Sequence, residues 1–280
     1  MFRKRLCSAR PFSAPGVSEN GILMAQIIFH GIWSCQMESL YIVIPAYNEE
    51  ENIKHVIQDW YPVVERHAAG GVSRLLVIDD GSRDRTYEIL QEFCESYPLL
   101  EVVTKPNAGH GATLLVGYHY ALKHGADYIF QTDSDGQTLP EEFEPFWEQR
   151  KQWDFLIGRR WHRQDGKGRI FVTRVLRLVI WLTFRVWTED ANTPYRLMHA
   201  DTLRKVLRWV PEDFHLSNVL ISVLYCKGPY RVKYLPITFR PRQGGVNSIN
   251  FKKIFRIGLQ ALREFRNIEK ALERVGNIRQ

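Results

Sequence analysis

Short apolar runs alternate with longer amphipathic segments along the chain from residue 39 onward. Runs of four to seven residues rich in Val, Ile, Leu and Phe predict five buried strands, at 40–46, 74–78, 100–104, 128–132 and 155–158. Segments with apolar residues at helical spacing predict helices at 49–67, 84–97, 108–124 and 141–151. Because strands that alternate with helices form βαβ units, the pattern predicts an α/β fold with a mostly parallel central sheet flanked by helices.

The pattern changes in the second half of the chain. A long amphipathic segment with basic residues covers 169–187, and two further helices are predicted at 201–210 and 216–226. A last strand is predicted at 230–239, and a basic amphipathic helix follows towards the C-terminus. We therefore expect a poorly ordered leader, one large α/β domain and a helical C-terminal extension, at 1–36, 37–249 and 250–280 respectively.

Composition narrows the classes of partner. The chain of 280 residues carries a formal net charge of +7, which favours a nucleic acid, an anionic membrane surface or a phosphorylated substrate as partner. The basic residues are dispersed among acidic ones and no nucleic-acid-binding motif is visible, so we predict no nucleic-acid partner. The four cysteines form no CxxC pair, which is typical of reduced thiols in a cytoplasmic protein.

Polar residues cluster where the predicted strands end, which is where ligands bind in open α/β sheets. The sharpest cluster contains Asp133 and Asp135, whose carboxylates can converge on Mg²⁺ or Mn²⁺, and the amide oxygen of Gln137 could join them. The alternative is a solvated turn, because Asp and Gly are common turn residues. Asp80 follows the second strand in the same way, and we expect its carboxylate to contact a ligand.

Three further segments are candidates for phosphate binding or for local structure. The loop at 105–111 contains Gly109 and precedes a helix, so it is either a phosphate-binding loop or a tight turn. Arg160 and Arg242 follow predicted strands, and a guanidinium suits bidentate phosphate contact. The segment 242–248 has the glycines of a flexible loop that could close over a phosphate. Asn48 is predicted to cap the first helix.

As a set, seven segments resemble family 2 of the inverting GT-A glycosyltransferases. They occur in the family's order and are IVIPAYNEE at 42–50, VIDDGSRDRT at 77–86, KPNAGHG at 105–111, TDSDGQ at 132–137, GRR at 158–160, DANTPYRLM at 190–198 and RQGGVNS at 242–248. The subgroup that the sequence resembles most is that of the polyprenyl-phosphate (dolichol-phosphate) mannosyltransferases. The resemblance implies a GT-A fold, with a Rossmann-like sheet, for the domain at 37–249.

The resemblance also implies roles for individual positions. The residues that would bind the nucleotide-sugar donor are Pro45, Tyr47, Glu49, Asp80, Gly109 and Asp133. The metal, Mg²⁺ or Mn²⁺, would be held by Asp133, Asp135 and Gln137. The residues expected to act in catalysis are Asp135, Asp190, Arg160 and Arg242. The sequence departs from the family's pattern at Gly136 and Pro194.

The implied reaction moves a sugar from a GDP- or UDP-sugar to a polyprenyl-phosphate lipid, with the nucleoside diphosphate leaving. An alternative acceptor is a saccharide hydroxyl in cell-surface polysaccharide synthesis. A lipid phosphate is already an anion and needs no general base, whereas a hydroxyl needs one, for which Asp190 is the candidate. The segment 169–187 either packs on the sheet or lies at a membrane interface. We expect a cytoplasmic protein with possible peripheral contact with the cytoplasmic face of the membrane.

Overall fold

The computed structural model describes residues 38–68, 72–160, 167–212, 214–240 and 265–270, with the backbone alone at 167–174. The predicted leader, Arg242 with its glycine-containing loop, and most of the predicted C-terminal helix lie outside the described residues. The division of the chain into leader, catalytic domain and C-terminal helix therefore stays a prediction. Among the described residues, no helix is long and apolar enough to cross a membrane.

In the part of the chain that the structure describes, seven strands form one sheet in the order β3-β2-β1-β4-β6-β5-β7. They are β1 (Leu40–Ala46), β2 (Arg74–Asp79), β3 (Leu100–Thr104), β4 (Tyr128–Gln131), β5 (Phe155–Arg160), β6 (Arg196–His199) and β7 (Val232–Ile237). β6 pairs antiparallel with both β4 and β5, while the other pairings are parallel. The predicted α/β class and mostly parallel sheet are confirmed.

Helices cover both faces of the sheet. They are α1 (Ile53–Arg66), α2 (Thr86–Cys94), α3 (His110–Lys123), α4 (Glu144–Gln149), α5 (Lys167–Phe184), α6 (Ala200–Leu207) and α7 (Ser217–Lys227). A 3₁₀ turn at Pro140–Glu142 precedes α4, so the single helix predicted at 141–151 is shorter and begins later. The other described helices agree with the prediction to within a few residues at each end.

The alternation of side chains along β1 explains the two cores. Tyr41 and Val43 point into the cluster that α3, α5, α6 and α7 cover, whereas Ile42 and Ile44 point into the cluster that α1, α2 and α4 cover. Because both faces of the strand are buried, every position from Leu40 to Ala46 is buried. A strand in a doubly covered sheet therefore reads as a continuous apolar run.

One strand was not predicted. β6 is only four residues long and begins with Arg196, a residue type that is rarely buried. The guanidinium of Arg196 is nevertheless fully buried and donates to the carbonyl oxygens of Ala191, Thr193 and Asn218, at 3.3, 2.5 and 3.0 Å. A buried arginine that satisfies its donors on backbone carbonyls leaves no hydrophobic pattern in the sequence, and this is why the strand was missed.

The topology brings the carboxyl ends of six strands to one edge of the sheet. β1, β2, β3, β4, β5 and β7 all run in the same direction, and β6 alone is reversed. The strand order reverses between β1 and β4, because β2 and β3 continue on one side of β1 and β4 lies on the other. Ligands in open α/β sheets bind at such a switch point, outside the carboxyl ends of the strands.

Candidate active site

A cleft of about 350 Å³ opens at this switch point. This volume lies within the range of roughly 300–1,000 Å³ that ligand pockets have. Its walls are Pro45, Ala46, Tyr47, Glu49, Asp80, Asn107, Gly109, His110, Thr113, Asp133, Ser134 and Asp135. All six predicted donor-binding residues are among them, as are both predicted metal-binding aspartates.

The loops after β1 and β2 fix each other through side chains. The backbone N–H of Asn48 donates to Ser82 Oγ at 3.0 Å, and Asn48 Oδ1 accepts from the backbone N–H of Arg83 at 2.8 Å. The Asp84 carboxylate accepts from the N–H of Glu50 at 3.2 Å. The prediction that Asn48 caps the first helix was wrong, because α1 begins at Ile53 and Asn48 holds the neighbouring loop instead.

Asp80 is buried at the end of β2, and its carboxylate is already engaged by the protein. It forms an ion pair with Lys105 and accepts from the backbone N–H groups of Ala108 and Gly109, each at 2.9 Å. Burial alone would raise the pKa of the Asp80 carboxyl, but these hydrogen bonds, chiefly the one from Lys105, hold its pKa below the ordinary value. Asp80 therefore lines the cleft and anchors the loop that precedes α3.

Asp133 and Asp135 follow β4, and their surroundings fit a divalent cation. Oδ1 of Asp133 is buried and has no hydrogen-bond partner among the described residues, and His110 Nε2 lies 3.8 Å from it. Within the described ranges no cluster of three or more His, Cys, Asp and Glu side chains could hold a metal ion. Mg²⁺ is often bound by one or two carboxylates together with substrate phosphates, so an unsatisfied carboxylate oxygen in a two-aspartate site suits a metal that phosphates complete.

Gln137 is placed differently from its neighbours. Its Nε2 donates to the carbonyl oxygen of Arg240 at 2.7 Å, and the backbone N–H of Arg240 donates to the Gln137 carbonyl at 2.9 Å. The Gln137 backbone N–H donates to Asp135 Oδ1 at 3.2 Å. Gln137 is not part of the cleft wall, and its contacts join the loop after β4 to the segment after β7. Its predicted role as a metal ligand stays untested.

The N-terminus of α3 faces the cleft through Gly109, a predicted donor-binding residue, and through two neighbours that received no individual role from the sequence. Gly109 adopts a φ of 88°, in the left-handed region that favours glycine, and so turns the chain into α3. His110 and Asn107 also line the cleft. Both lie in the segment at 105–111 that resembles the family, but only their place in the cleft wall, and for His110 its distance to Asp133, distinguishes them from the rest of that segment.

Two of the predicted catalytic residues pair with each other. Nε and Nη2 of Arg160 donate to Oδ2 and Oδ1 of Asp190, both at 2.8 Å, and Asp190 is 3% exposed. The Arg160 guanidinium lies 5.1 Å from the centre of the Phe239 ring. Arg160 ends β5, and Asp190 precedes the reversed strand β6, so both belong to the edge of the sheet that carries the cleft. They do not line the cleft itself.

Arg196 is a residue whose importance the sequence did not reveal. Burial lowers the pKa of its guanidinium, and its hydrogen bonds to the carbonyl groups of Ala191 and Thr193 hold the segment that follows Asp190. Through Ala191, Arg196 therefore holds the backbone next to Asp190. The predicted catalytic residue Arg242 lies outside the described residues, and its role stays a prediction.

Comparison with known proteins agrees with this geometry. Residues 41–206 match the glycosyl transferase family 2. The chain is 26% identical to a polyprenol monophosphomannose synthase of Mycolicibacterium smegmatis, over 76% of this chain and 82% of that protein. It is 32% identical to a dolichyl-phosphate beta-glucosyltransferase of Trichomonas vaginalis, over 63% of this chain. It spans 55% of that relative's length, which is little more than half.

A solved structure confirms the fold. Glucosyl-3-phosphoglycerate synthase from Mycobacterium tuberculosis, in complex with Mn²⁺, UDP and phosphoglyceric acid, matches with a TM-score of 0.58 over 92% of this chain and 84% of that one. The sequence identity is 16%, so this likeness concerns the fold alone.

The predicted resemblance to polyprenyl-phosphate sugar transferases is also confirmed, by relatives named for polyprenyl and dolichyl phosphate. The family match covers more than half of the chain, and it includes the strands and both aspartates at the switch point. The chain belongs to glycosyl transferase family 2.

Proposed function

We propose that this enzyme transfers a sugar from a nucleoside diphosphate sugar to the phosphate of a polyprenyl-phosphate lipid, with inversion at the anomeric carbon. The observation that carries the proposal is the pair Asp133 and Asp135 in a ligand-sized cleft at the switch point of the sheet. The relatives support the acceptor, because the mycobacterial and Trichomonas proteins are named for a polyprenol and a dolichyl phosphate.

Asp133 and Asp135 would hold a divalent cation, Mg²⁺ or Mn²⁺. The structure of glucosyl-3-phosphoglycerate synthase from Mycobacterium tuberculosis with Mn²⁺ and UDP supports a divalent metal as cofactor and a nucleoside diphosphate in the cleft. When bound, the cation stabilises negative charge on the leaving diphosphate. The protein contributes the buried Oδ1 of Asp133, which lacks a hydrogen-bond partner among the described residues.

The donor's phosphates would lie against the N-terminus of α3. Backbone N–H groups at a helix N-terminus suit an anion, and the positive end of the helix dipole adds to the attraction. Gly109 and His110 line the cleft at this point. The nucleoside would lie along Pro45, Tyr47 and Glu49, where the interlocked loops after β1 and β2 make a preorganised wall. Preorganised contacts of this kind avoid the cost of ordering the loop during binding.

The Arg160–Asp190 pair supports a phosphate acceptor over a hydroxyl acceptor. Both oxygens of Asp190 already accept hydrogen bonds from Arg160. A carboxylate in a bidentate pair with a guanidinium is poorly placed to remove a proton from an incoming hydroxyl. A phosphate acceptor is an anion from the start and requires no such base. Asp190 then orients Arg160. The guanidinium groups of Arg160 and Arg242 would bind the acceptor or donor phosphate.

We place the reaction at the cytoplasmic face of a membrane. A polyprenyl chain keeps the acceptor in a bilayer, so the catalytic edge of the sheet must reach the membrane surface. Cys94 and Cys226 are free thiols, which is typical of a reducing compartment.

Calorimetric titration of the full chain with UDP and with GDP tests the donor site. We expect one nucleotide to bind only when Mg²⁺ or Mn²⁺ is present, and Asp135→Asn to weaken this binding by about 100-fold or more, because a cation ligand is lost. Asp59→Asn on α1 is the matched control, since Asp59 is an exposed carboxylate outside the cleft, and it should bind normally. UDP preference would indicate a glucose- or hexosamine-type donor, and GDP preference a mannose-type donor.

Transfer is then assayed with the corresponding nucleotide sugar and a polyprenyl phosphate, with the lipid-soluble product measured. A folded protein that binds neither nucleotide with either cation would contradict the donor site. Transfer to a saccharide, with none to the lipid phosphate, would leave the donor site intact and overturn the acceptor.

A further inference from the structure

Exposed apolar side chains concentrate on one helix. Among the described residues, five of the eight exposed large hydrophobic side chains fall between residues 175 and 187. They are Val175, Leu178, Trp181 and Leu182 on α5 and Trp187 just after it, with exposed fractions of 43%, 54%, 42%, 53% and 65%. We call these five residues the α5 apolar face. A contiguous exposed apolar patch on a folded domain usually marks a surface that binds a protein, a membrane or a ligand.

The opposite side of α5 is apolar as well. Ile180 and Phe184 are fully buried in the core, and Leu176 and Val179 pack against the same cluster. A helix on the surface of a soluble domain is normally polar on its outer side. Over the described side chains, α5 therefore packs one apolar stripe against the core and presents a second one outward.

The charge of α5 indicates which kind of surface the outward apolar stripe binds. Its sequence contains four basic residues and no acidic residue. Arg185 follows the helix, and its guanidinium lies 5.4 Å from the centre of the Trp181 ring. A helix whose sequence has basic but no acidic residues, and which exposes Trp and Leu, is typical of helices that lie in the interface of an anionic bilayer.

The α5 apolar face also leads directly to the acceptor side of the site. Trp187 lies three residues before Asp190 in the chain. Arg177 on α5 donates to the carbonyl oxygen of Glu189, and Arg159 pairs with the Glu189 carboxylate at 2.8 Å. These contacts tie α5 to the segment that carries Asp190 and its partner Arg160. A partner surface that binds the α5 apolar face would therefore lie beside the Arg160–Asp190 pair.

We propose that the α5 apolar face docks onto the surface of an anionic phospholipid bilayer and thereby brings the Arg160–Asp190 pair to the acceptor's phosphate. This inference rests on the proposed lipid-phosphate acceptor. Trp181 and Trp187 would sit at the level of the head groups, where amphipathic indole rings are favoured. Leu178 and Leu182 would insert between the lipids.

Co-sedimentation of the full chain with vesicles tests the docking without any enzymatic activity. The vesicles contain phosphatidylcholine alone or phosphatidylcholine mixed with phosphatidylglycerol. We expect binding to the anionic vesicles, and we expect Leu178→Gln/Leu182→Gln to lower the partition coefficient by about tenfold or more, because binding scales with buried apolar area. The matched control is Val72→Gln/Val116→Gln, which removes two exposed apolar side chains elsewhere and should bind like the wild type.

A transfer assay separates this inference from the proposed function. The acceptor is either a long polyprenyl phosphate in vesicles or a short, water-soluble isoprenyl phosphate. We expect Leu178→Gln/Leu182→Gln to lose transfer to the vesicle acceptor and to keep transfer to the soluble one. Failure of the wild type to use either acceptor would overturn the proposed function, while the vesicle sedimentation would still decide the docking.

Three results would overturn the docking itself. The first is a wild-type protein that does not bind anionic vesicles, and the second is a variant that binds them as well as the wild type does. The third is a wild-type dimer that the substitutions convert to a monomer without change in vesicle binding, which would mean that a second copy covers the α5 apolar face. Size-exclusion chromatography of both proteins detects this last case.

Discussion

Asp80 and Asp133 both follow a parallel strand and line the same cleft, yet their surroundings are opposite. The Asp80 carboxylate accepts from Lys105 and from two backbone N–H groups. Oδ1 of Asp133 has no such partner among the described residues. A carboxylate that the protein has satisfied is a structural anchor, whereas an unsatisfied one is available to a cation. Residues of the same type at equivalent strand ends thus have different tasks because of what folds over them.

The anchoring role of Asp80 predicts a pH-dependent effect of Asp80→Asn. The folded-state pKa lies below the ordinary value of 3.8, so the carboxylate's stabilisation is fully present above that pH and is lost as the pH falls through the lower folded-state value. At pH 7 we expect the substitution to lower the free energy of unfolding by about 3 kcal/mol, because Lys105 loses its charged partner. Urea unfolding between pH 7 and pH 3 measures this effect, and the difference from wild type should shrink below about pH 4.

A difference that stays constant over this pH range would contradict the assignment, because a neutral hydrogen-bonding role does not titrate. Asp80→Asn should also weaken nucleotide binding, because the loop that Asp80 anchors leads to Gly109 and His110 in the cleft.

At the scale of elements, α3 reaches the cleft because its first turn is seated on the connection between α6 and α7. Ser217 Oγ donates to the carbonyl oxygen of Gly111 at 3.0 Å. A Cβ atom at Gly111 would lie 2.4 Å from the carbonyl oxygen of Phe214, which is closer than side chains approach backbone oxygens. The absence of a side chain at this position therefore lets the N-terminus of α3, with its phosphate-binding potential, approach the rest of the site.

Gly111→Ala should move the start of α3 and weaken nucleotide binding by about tenfold or more, because a displacement of roughly 1 Å misaligns the cleft wall. Gly125→Ala is the matched control, since Gly125 has a φ of 81° but no heavy atom within 4 Å of an added Cβ. The control should cost about 1 kcal/mol of stability from backbone strain and leave binding unchanged. Calorimetric titration together with urea unfolding separates the two effects, and equal losses of nucleotide affinity in both variants would contradict the close approach.

At the scale of the whole domain, residues far along the chain complete the core on one face of the sheet. The helical residues at 265–270 place Phe265 in the buried cluster, with its ring 5.3 Å from that of Phe184 and 5.7 Å from that of Phe214. Lys227 pairs with Glu269 at 2.8 Å. This part of the predicted C-terminal helix therefore directs an aromatic side chain into the protein core.

Phe265→Ala should lower the free energy of unfolding by about 3–5 kcal/mol, because it removes a buried aromatic ring and leaves a cavity. Arg266→Ala is the control, since Arg266 is the exposed neighbour, and its effect should stay within about 0.5 kcal/mol. Urea unfolding of the full chain measures both. A Phe265→Ala variant as stable as the wild type would mean that this side chain does not stabilise the core.

Much of the fold followed from local pattern. β1, β2 and β4 are buried on both faces, so their apolar runs were visible in the sequence, and the acidic residues that follow β2 and β4 marked where those strands end. The parallel topology then required those strand ends to share one edge of the sheet. For this reason the six predicted donor-binding residues and Asp135 lie together along one cleft, and their individual roles stay predictions.

The rest depended on contacts between residues far apart in the chain. β6 was hidden because Arg196 is satisfied by carbonyl groups that only the folded chain supplies. Arg160 and Asp190 are 30 residues apart, and Gln137 and Arg240 are 103 apart. The sequence by itself determined which residues carry charge and where each strand ends, since these are local properties. The tertiary structure decided which charges are paired and which remain available, because pairing depends on distances that only the packed chain defines.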